Sequence, residues 1–338
     1  MPRVSVVMAV YNAGQFVREA VASVLLQTYS DFELIVVDDS SCDDSLSILE
    51  SFDDQRIRII RHQTNQGAAS SRNHALAAAR GEFVAVMDAD DVCMPTRLER
   101  QVAFLDTNPR VGLVGCGIYD NIDAGNEVLH TSHLPEDNEA IQRNLLRESC
   151  FLHSSIMFRK TLYEAVGGYI SAFEPAEDHD FVLRIAEHCK VQNLRERLVR
   201  YRLSRKSLSV IGHEFTNHVY SAATLLAQRR RAGHPEDRDG AISRILELKR
   251  KHSAHRGLAA VMQEVSNSFC AANRYYRFGC REFYAGHFKT ARRCFMHSVR
   301  ANGLFVKSWI GIGLSMMPFA SDRLKTVFRY STQHDNGV

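Results

Sequence analysis

The 338-residue chain has no stretch of eighteen or more uninterrupted apolar residues, so a spanning helix is not expected. None of its eight cysteines, at positions 42, 93, 116, 150, 189, 270, 280 and 294, stands in a C-x-x-C pair. They read as reduced thiols, without a disulfide framework or a zinc site, and place the protein in the cytoplasm. The opening MPRVSVVMAVYN runs straight into strand-like sequence, without the charged, apolar and small-residue segments of a secretory leader, so none is expected. Glycine is scarce where a dinucleotide fold would need it. Only Gly14 follows the first apolar run, which argues against a nicotinamide dehydrogenase with G-x-G-x-x-G and against a sugar-1-phosphate nucleotidyltransferase. No nucleic-acid motif accompanies the basic residues, so no nucleic-acid partner is expected.

What is present is a chain that is 45% hydrophobic, enough for one large core or two smaller ones. Its net charge of +3 conceals a division. Residues 1–199 hold 18 Lys and Arg against 30 Asp and Glu, a net −12; residues 200–338 hold 24 against 9, a net +15. Two regions with different partners follow from such polarity.

Apolar, β-branched runs RVSVVMAVYN (3–12), FELIVVDDSSCDDS (32–45), RIRIIRH (56–62) and EFVAVMDADD (82–91) read as strands. Helix-spaced segments separate them: AGQFVREAVASVLLQTY, SLSILESF with Asp43 or Asp44 as its cap, and QGAASSRNHALAAARG closed by Gly81. This alternation predicts an α/β, Rossmann-like fold with a mostly parallel sheet. In such sheets ligands bind beyond the carboxyl ends of the strands. Asp38-Asp39 and Asp88-Asp90-Asp91 both lie at those ends. Further on, VGLVGCGIY and SSIMFRK read as strands, TLYEAVGGY as a helix stopped by Gly167-Gly168, and EDHDFVLRIAEH as a helix with an acidic start. Beyond about 212 the chain becomes helical and basic, broken at RRRAGHPEDRDG. Composition therefore predicts two domains, 1–211 and 212–338, the second α-helical. Its FGCREFYAGHFKTARRCFMHSVRANG resembles one tetratricopeptide-type helix pair, with Gly279, Phe283, Gly286, Ala291, Phe295 and Ala301 at the repeat positions.

PRVSVVMAVYN, FELIVVDDSSCDDS, NQGAASSRNHALAAARGEFVAVMDADD and AEDHDFVLRIAEH, in this order and spacing, resemble the family 2 inverting glycosyltransferases of GT-A fold over roughly residues 1–210. The resemblance implies transfer of a sugar from a nucleoside-diphosphate donor, UDP by default, to a saccharide or lipid-linked acceptor in cell-surface polysaccharide or glycoconjugate synthesis. It implies Mg²⁺ or Mn²⁺ at Asp90, with Asp88 on the ribose or supporting the metal shell. A cation shared with the diphosphate would explain why a buried strand ends in three aspartates. The bland alternative for DADD is a solvated turn or helix cap. Asp39 would accept hydrogen bonds from a pyrimidine N3–H or from ribose hydroxyls, and Tyr11 would offer a flat face to the base. Arg72 would reach a phosphate or pair with a neighbouring acid. The resemblance makes Asp178 the base for the acceptor hydroxyl, with Glu177 beside it and Arg184 pairing an acid of the site. The alternative for Asp178 is an acid that merely complements the helix dipole. It also puts His153 on the acceptor side.

Two positions depart from the family pattern: Val182 stands where many relatives have Trp, and Ser204 where relatives have a His that touches metal or diphosphate. Either His213 substitutes, or Arg202, Arg205 and Lys206 neutralise the diphosphate. The segment LFVKSWIGIGLSMMPFA (304–320) reads equally as an interfacial membrane element with basic flanks or as a core helix. A second function class is a non-catalytic nucleotide-sugar-binding module whose helical tail recruits partners.

Overall fold

The computed structural model describes residues 1–203, 213–235, 237–254, 275–280, 282–283 and 287–301. Two compact units divide the chain. One comprises Met1–Asn121, Thr131–Arg202 and Glu214–Ala254; the other comprises Ile122–His130, Leu203–His213 and His255–Val338. Packing therefore places 214–254 with the first unit, whereas composition alone put the divide at 211.

In the first unit, β1 (Val4–Val10), β2 (Phe32–Asp38), β3 (Ile57–Arg61) and β4 (Phe83–Val86) form the parallel half of the sheet, in the order β3-β2-β1-β4. Between them run α1 (Val17–Leu25), α2 (Ser45–Glu50) and α3 (Ala68–Ala78). Side chains alternate across β1. Val4, Val6, Met8 and Val10 join a core with Val17, Val21 and Val24 of α1, while Val7 joins a second core on the other face with Ala69, Ala75 and Leu76 of α3. Both faces being covered, the strands read as nearly continuous apolar runs.

Helix α3 ends three residues earlier than Gly81, with Ala79 already extended. Gly81 serves a different need: its N–H donates to Ser5 Oγ, and a Cβ there would lie 2.6 Å from the Ser5 nitrogen. Backbone closeness, rather than helix termination, requires glycine.

Past β4 the sheet changes sense. After β5 (Val92–Cys93), α4 (Arg97–Thr107), β6 (Val111–Ile122), β7 (Val128–His133) and α5 (Asn138–Asn144), β8 (Met157–Arg159) pairs antiparallel with both β4 and β6. After α6 (Lys160–Val166), stopped by Gly167, and α7 (Glu177–Ala186), β9 (Lys190–Arg202) pairs antiparallel with β5. The predicted parallel order thus covers residues 4–86, and antiparallel strands complete a mixed sheet. Helices α8 (His213–Arg231) and α9 (Arg238–Ala254) follow. Val219, Ala223, Leu226 and Ala227 form a helical stripe on α8 that packs into the same core as Phe181, Leu183 and Ile185 of α7.

In the second unit, a helix over Phe288–Ala301 lies against the helical residues 275–280 and 282–283. Phe295 packs on Tyr276 at 5.8 Å and Phe288 on Phe283 at 5.3 Å. Phe295 also fills the space over Gly279, where a Cβ would meet its ring at 2.5 Å. Among the described residues no helix is long and apolar enough to cross a membrane. Segment 304–320, with Ser204, Arg205 and Lys206, lies outside the described residues, as does the side chain of His213.

Candidate active site

The parallel strands bring their carboxyl ends to one edge of the sheet. Tyr11 follows β1 and is 52% exposed. The turns beyond β1 and β2 are tied together: Asn12 and Ser40 both take left-handed backbone, Asn12 Oδ1 accepts from Cys42 N, and Ser41 Oγ accepts from Asn12 N. Asp38 Oδ2 accepts from Ser41 N at 3.3 Å, so this carboxylate braces the turn. Asp39 is buried, and three groups on the segment after β3 donate to it. Gln66 N (2.9 Å) and His62 Nδ1 (2.7 Å) reach Oδ1, and Gly67 N (2.9 Å) reaches Oδ2. Gly67 has φ +91°, so this turn needs glycine, and its bare Cα also leaves room for the Glu174 carboxylate.

At the end of β4, Asp88 Oδ1 accepts from Arg72 at 2.9 Å and Oδ2 from Ser154 Oγ at 2.9 Å. Burial opposes the Asp88 charge, but the Arg72 guanidinium and His153 together outweigh it and hold the carboxyl well below the usual range. Its neighbours behave in the opposite way. Burial and the Asp88 charge push the Asp90 carboxyl up to about 6. Burial and the charges of Asp90 and Asp88 raise Asp91 well above its ordinary value. Asp91 Oδ1 accepts from Arg202 N at 2.8 Å, while its buried Oδ2 has no partner. Arg202, expected on a diphosphate, is buried beneath this turn. Its Nε donates to the Asp90 carbonyl (2.7 Å), another nitrogen donates to Glu19 (2.8 Å), and its guanidinium lies 4.6 Å from the Phe16 ring centre. These contacts make it a brace under the aspartates.

Helix α3 supplies the link to α7. Arg72 donates to Glu177 Oε1 at 2.6 Å as well as to Asp88, and lies 5.7 Å from the Tyr169 ring centre. Pairing with acids, one of its two expected roles, is present. Burial works against the Arg72 charge, yet the two carboxylates raise its pKa above the normal guanidinium value. Glu177 is buried too, and there burial outweighs the help from Arg72, so its pKa is raised. His153 lies beside the strand-end acids: Nε2 is 3.0 Å from Tyr169 Oη and Nδ1 is 3.9 Å from Asp88 Oδ2.

Asp178, the second residue of α7, is half-buried, and its Oδ1 accepts from His179 N at 2.7 Å. His179 turns inward, stacked on Tyr220 of α8 at 3.8 Å and 13°, and burial lowers its pKa to about 4. Arg184 does not reach an acid of the strand-end cluster. It forms a buried i,i+4 pair with Asp180 at 2.7 Å and donates to the Val166 and Gly168 carbonyls, tying α6 to α7. Val182 belongs to the core. Sequence reasoning missed Ser154, Tyr169, Tyr220 and the His62–His74 contact, all of them joined to the site by tertiary packing rather than by a local motif.

Among the described residues no three His, Cys, Asp or Glu side chains are grouped to hold a metal by themselves. Mg²⁺ commonly takes only one or two protein carboxylates and completes its shell from substrate phosphate and water. The raised Asp90 and Asp91 carboxyls and the unpartnered Asp91 Oδ2 fit a site completed by a cation bound in that way.

The model of the family described as glycosyl transferase family 2 matches residues 5–167. The O-antigen biosynthesis glycosyltransferase WbnJ of Escherichia coli is 34% identical over 210 residues, covering 60% of this chain and 81% of that one. The E. coli UDP-Glc:alpha-D-GlcNAc-diphosphoundecaprenol beta-1,3-glucosyltransferase WfgD is 30% identical over 209 residues, 61% of this chain and 79% of that one. In fold, the chain is similar to S. aureus TarS 1–349 in complex with UDP-GlcNAc, with a TM-score of 0.55 at 18% identity, covering 98% of this chain and 92% of that one. The motif order, the mixed sheet with its strand-end aspartates and these likenesses agree, and the chain belongs to the family 2 glycosyltransferases.

Proposed function

We propose that this glycosyltransferase moves a sugar, with inversion, from a UDP-sugar to a hydroxyl of a lipid-linked saccharide during cell-surface polysaccharide synthesis. The observation that carries the reading is Arg72. One guanidinium joins Asp88, at the end of β4, to Glu177, the residue before Asp178, and so gathers three distant motifs into one place. The strand-end residues would bind the donor: Tyr11 against the base, Asp39 on the base or ribose, and Asp88 on the ribose. Asp90 would hold Mg²⁺ or Mn²⁺, which when bound stabilises the departing diphosphate.

Asp178 would take the proton from the acceptor hydroxyl as that oxygen bonds to the anomeric carbon. The bond from that carbon to the diphosphate oxygen breaks on the opposite face, and its electron pair leaves with the diphosphate. The N-terminus of α7 steadies the carboxylate, and its single local hydrogen bond leaves it free to receive a proton. Relatives named for a diphosphoundecaprenol-linked acceptor support the lipid-linked substrate. The net +15 beyond residue 199 supports peripheral contact with an anionic inner membrane face.

Asp178→Asn keeps size and hydrogen bonding but removes the base. Transfer should fall by roughly 10²–10⁴-fold, while UDP affinity measured by calorimetry stays unchanged. Undiminished transfer in this variant would remove Asp178 from the role of base.

A further inference from the structure

Behind Asp39 lies a chain of side chains that the proposed reaction does not use. His62 Nδ1 stands 2.7 Å from Asp39 Oδ1, and His62 Nε2 stands 2.6 Å from His74 Nδ1. The three residues come from separate elements. Asp39 follows β2, His62 follows β3, and His74 lies in α3. Asp39 and His62 are buried, and His74 is exposed. The rings of the two histidines are 4.8 Å apart and tilted by 53°, so the short contact runs edge to edge between nitrogens rather than face to face.

The proton of the first contact is fixed by what each atom can do. A carboxylate only accepts, so His62 Nδ1 carries the hydrogen directed at Asp39. His62 Nε2 makes the second short contact, to His74 Nδ1. The short contacts therefore link exposed His74 through His62 to Asp39. This arrangement decides which oxygen of Asp39 is left for a ligand. Oδ1 already receives two donors, His62 and Gln66 N, whereas Oδ2 receives only Gly67 N. A carboxylate oxygen has two lone-pair directions, so Oδ1 is filled and Oδ2 keeps one acceptor position.

We propose that His62, backed by His74, is a positioning residue that occupies Oδ1 of Asp39 and presents Oδ2 as the one acceptor for a nucleobase ring N–H, thereby selecting donors with a uracil-type base over those with cytosine. The proposal rests on the reading of Asp39 as a base contact. Uracil offers N3–H to a carboxylate; cytosine has an unprotonated N3 at the same position, and its lone pair would face that of Oδ2. A site built to accept a ring N–H rejects a base lacking it because the buried carboxylate then loses a partner. Without His62, Oδ1 would lose a charge-assisted bond and its fixed direction, and the carboxylate could turn to offer either oxygen.

Calorimetric titration with UDP, CDP and inorganic pyrophosphate, each with Mn²⁺, tests this in the full chain. His62→Ala should weaken UDP binding by roughly tenfold, the worth of one lost charge-assisted bond. The preference for UDP over CDP should narrow, and pyrophosphate, which has no base, should bind as before. His62→Gln, which restores an N–H near Oδ1, should recover most of the UDP affinity. His74→Ala changes an exposed residue and leaves the core intact; it should give a smaller loss confined to UDP. Equal weakening of UDP and pyrophosphate would mean general disruption and would overturn the proposal. So would unchanged UDP affinity in both alanine variants. Asp39→Asn separates the two levels of inference. If it leaves UDP binding untouched, the base contact itself is wrong and this proposal goes with it. If Asp39→Asn weakens UDP but the histidine variants do not, only the role of the histidine pair is lost.

Discussion

The strand-end side of the site and the α7 side are held in opposite ways. At the strand ends, charged groups are locked by bonds that span the chain: Arg72 to Asp88 and Glu177, Arg202 to Asp90 and Glu19, and His62 to Asp39. On the α7 side, Asp178 has one hydrogen bond to the next backbone N–H. Around it, apolar and aromatic packing holds the helix, with Phe181 against Phe158 and Tyr169 and His179 against Tyr220, and the one buried ion pair within α7, Asp180–Arg184, ties it to α6 away from Asp178. A surface that receives a diphosphate and its cation gains from charges fixed in advance, because little reorganisation is then left for binding. A base must exchange a proton at each turnover, and several ionic partners would hold its charge in one state. On the proposed roles, the contrast is what binding and proton transfer separately demand.

The sharpest way to break that contrast is to cut the Arg72 link. Glu177 is 5% exposed and would lose its ionic partner, as would Asp88. Removing one member of a buried ion pair leaves an uncompensated charge, at a cost of about 3–5 kcal/mol. Arg72→Met should lower stability by that amount in urea unfolding at pH 7. Adding Glu177→Gln should return a substantial part, since the stranded charge is then gone. If Arg72→Met costs less than about 1 kcal/mol, as expected for a solvent-exposed pair, the strand-end side is not locked as described.

Much of this side was legible in the sequence because its information is local. A buried strand followed by acids appears twice, after β2 and after β4, and the strand–helix alternation alone puts both acid groups at one sheet edge. The acidic start of α7 was legible through EDHD. What escaped depends on elements meeting in space. The brace formed by Arg202 requires β9 to return beside β5, a strand of only two residues within a stretch that gives little period-2 signal. The Ser154 bond to Asp88 requires β8 to enter antiparallel next to β4. Helix α8 looked like part of the basic region because it ends in Arg229-Arg230-Arg231. Only the spacing of Val219, Ala223, Leu226 and Ala227 marks a face for the α7 core, and spacing does not say which core it meets.

A smaller effect probes the α7 side. His179 is buried with its pKa lowered to about 4, against 6.5 for a free histidine. Between those values the unfolded chain binds a proton that the folded chain refuses, so stability is full above pH 6.5 and declines as pH falls toward 4. At pH 5 the lost stability is about 2 kcal/mol, from 1.36 kcal/mol for each of roughly 1.5 pH units. His179→Phe keeps a flat ring against Tyr220 and has nothing to protonate. Its loss of stability between pH 7 and pH 5 should therefore be smaller than that of the wild type by that amount, in urea unfolding at the two pH values. Parallel losses in the two proteins would show that the ring is reached by water and that the α7 side is not the dry, packed surface described.

The smallest expected effect uses an ion pair of the same chemistry in the opposite setting. Arg61, at the end of β3, lies 3.4 Å from Glu50, with the two side chains 58% and 54% exposed. Water screens both charges, and ordering two long side chains offsets what attraction remains, so exposed pairs contribute about 0–1 kcal/mol. Arg61→Ala should change stability by less than about 0.5 kcal/mol, and the difference from wild type should shrink further at high salt. Set beside Arg72→Met, this variant cuts an Arg–Glu pair in water rather than one out of it. If both substitutions cost several kcal/mol, the presence of ion pairs rather than their burial would set the stability of the strand ends. If only Arg72→Met does, the rigidity of the strand-end side comes from having taken its charges out of water, the condition that α7 avoids for Asp178.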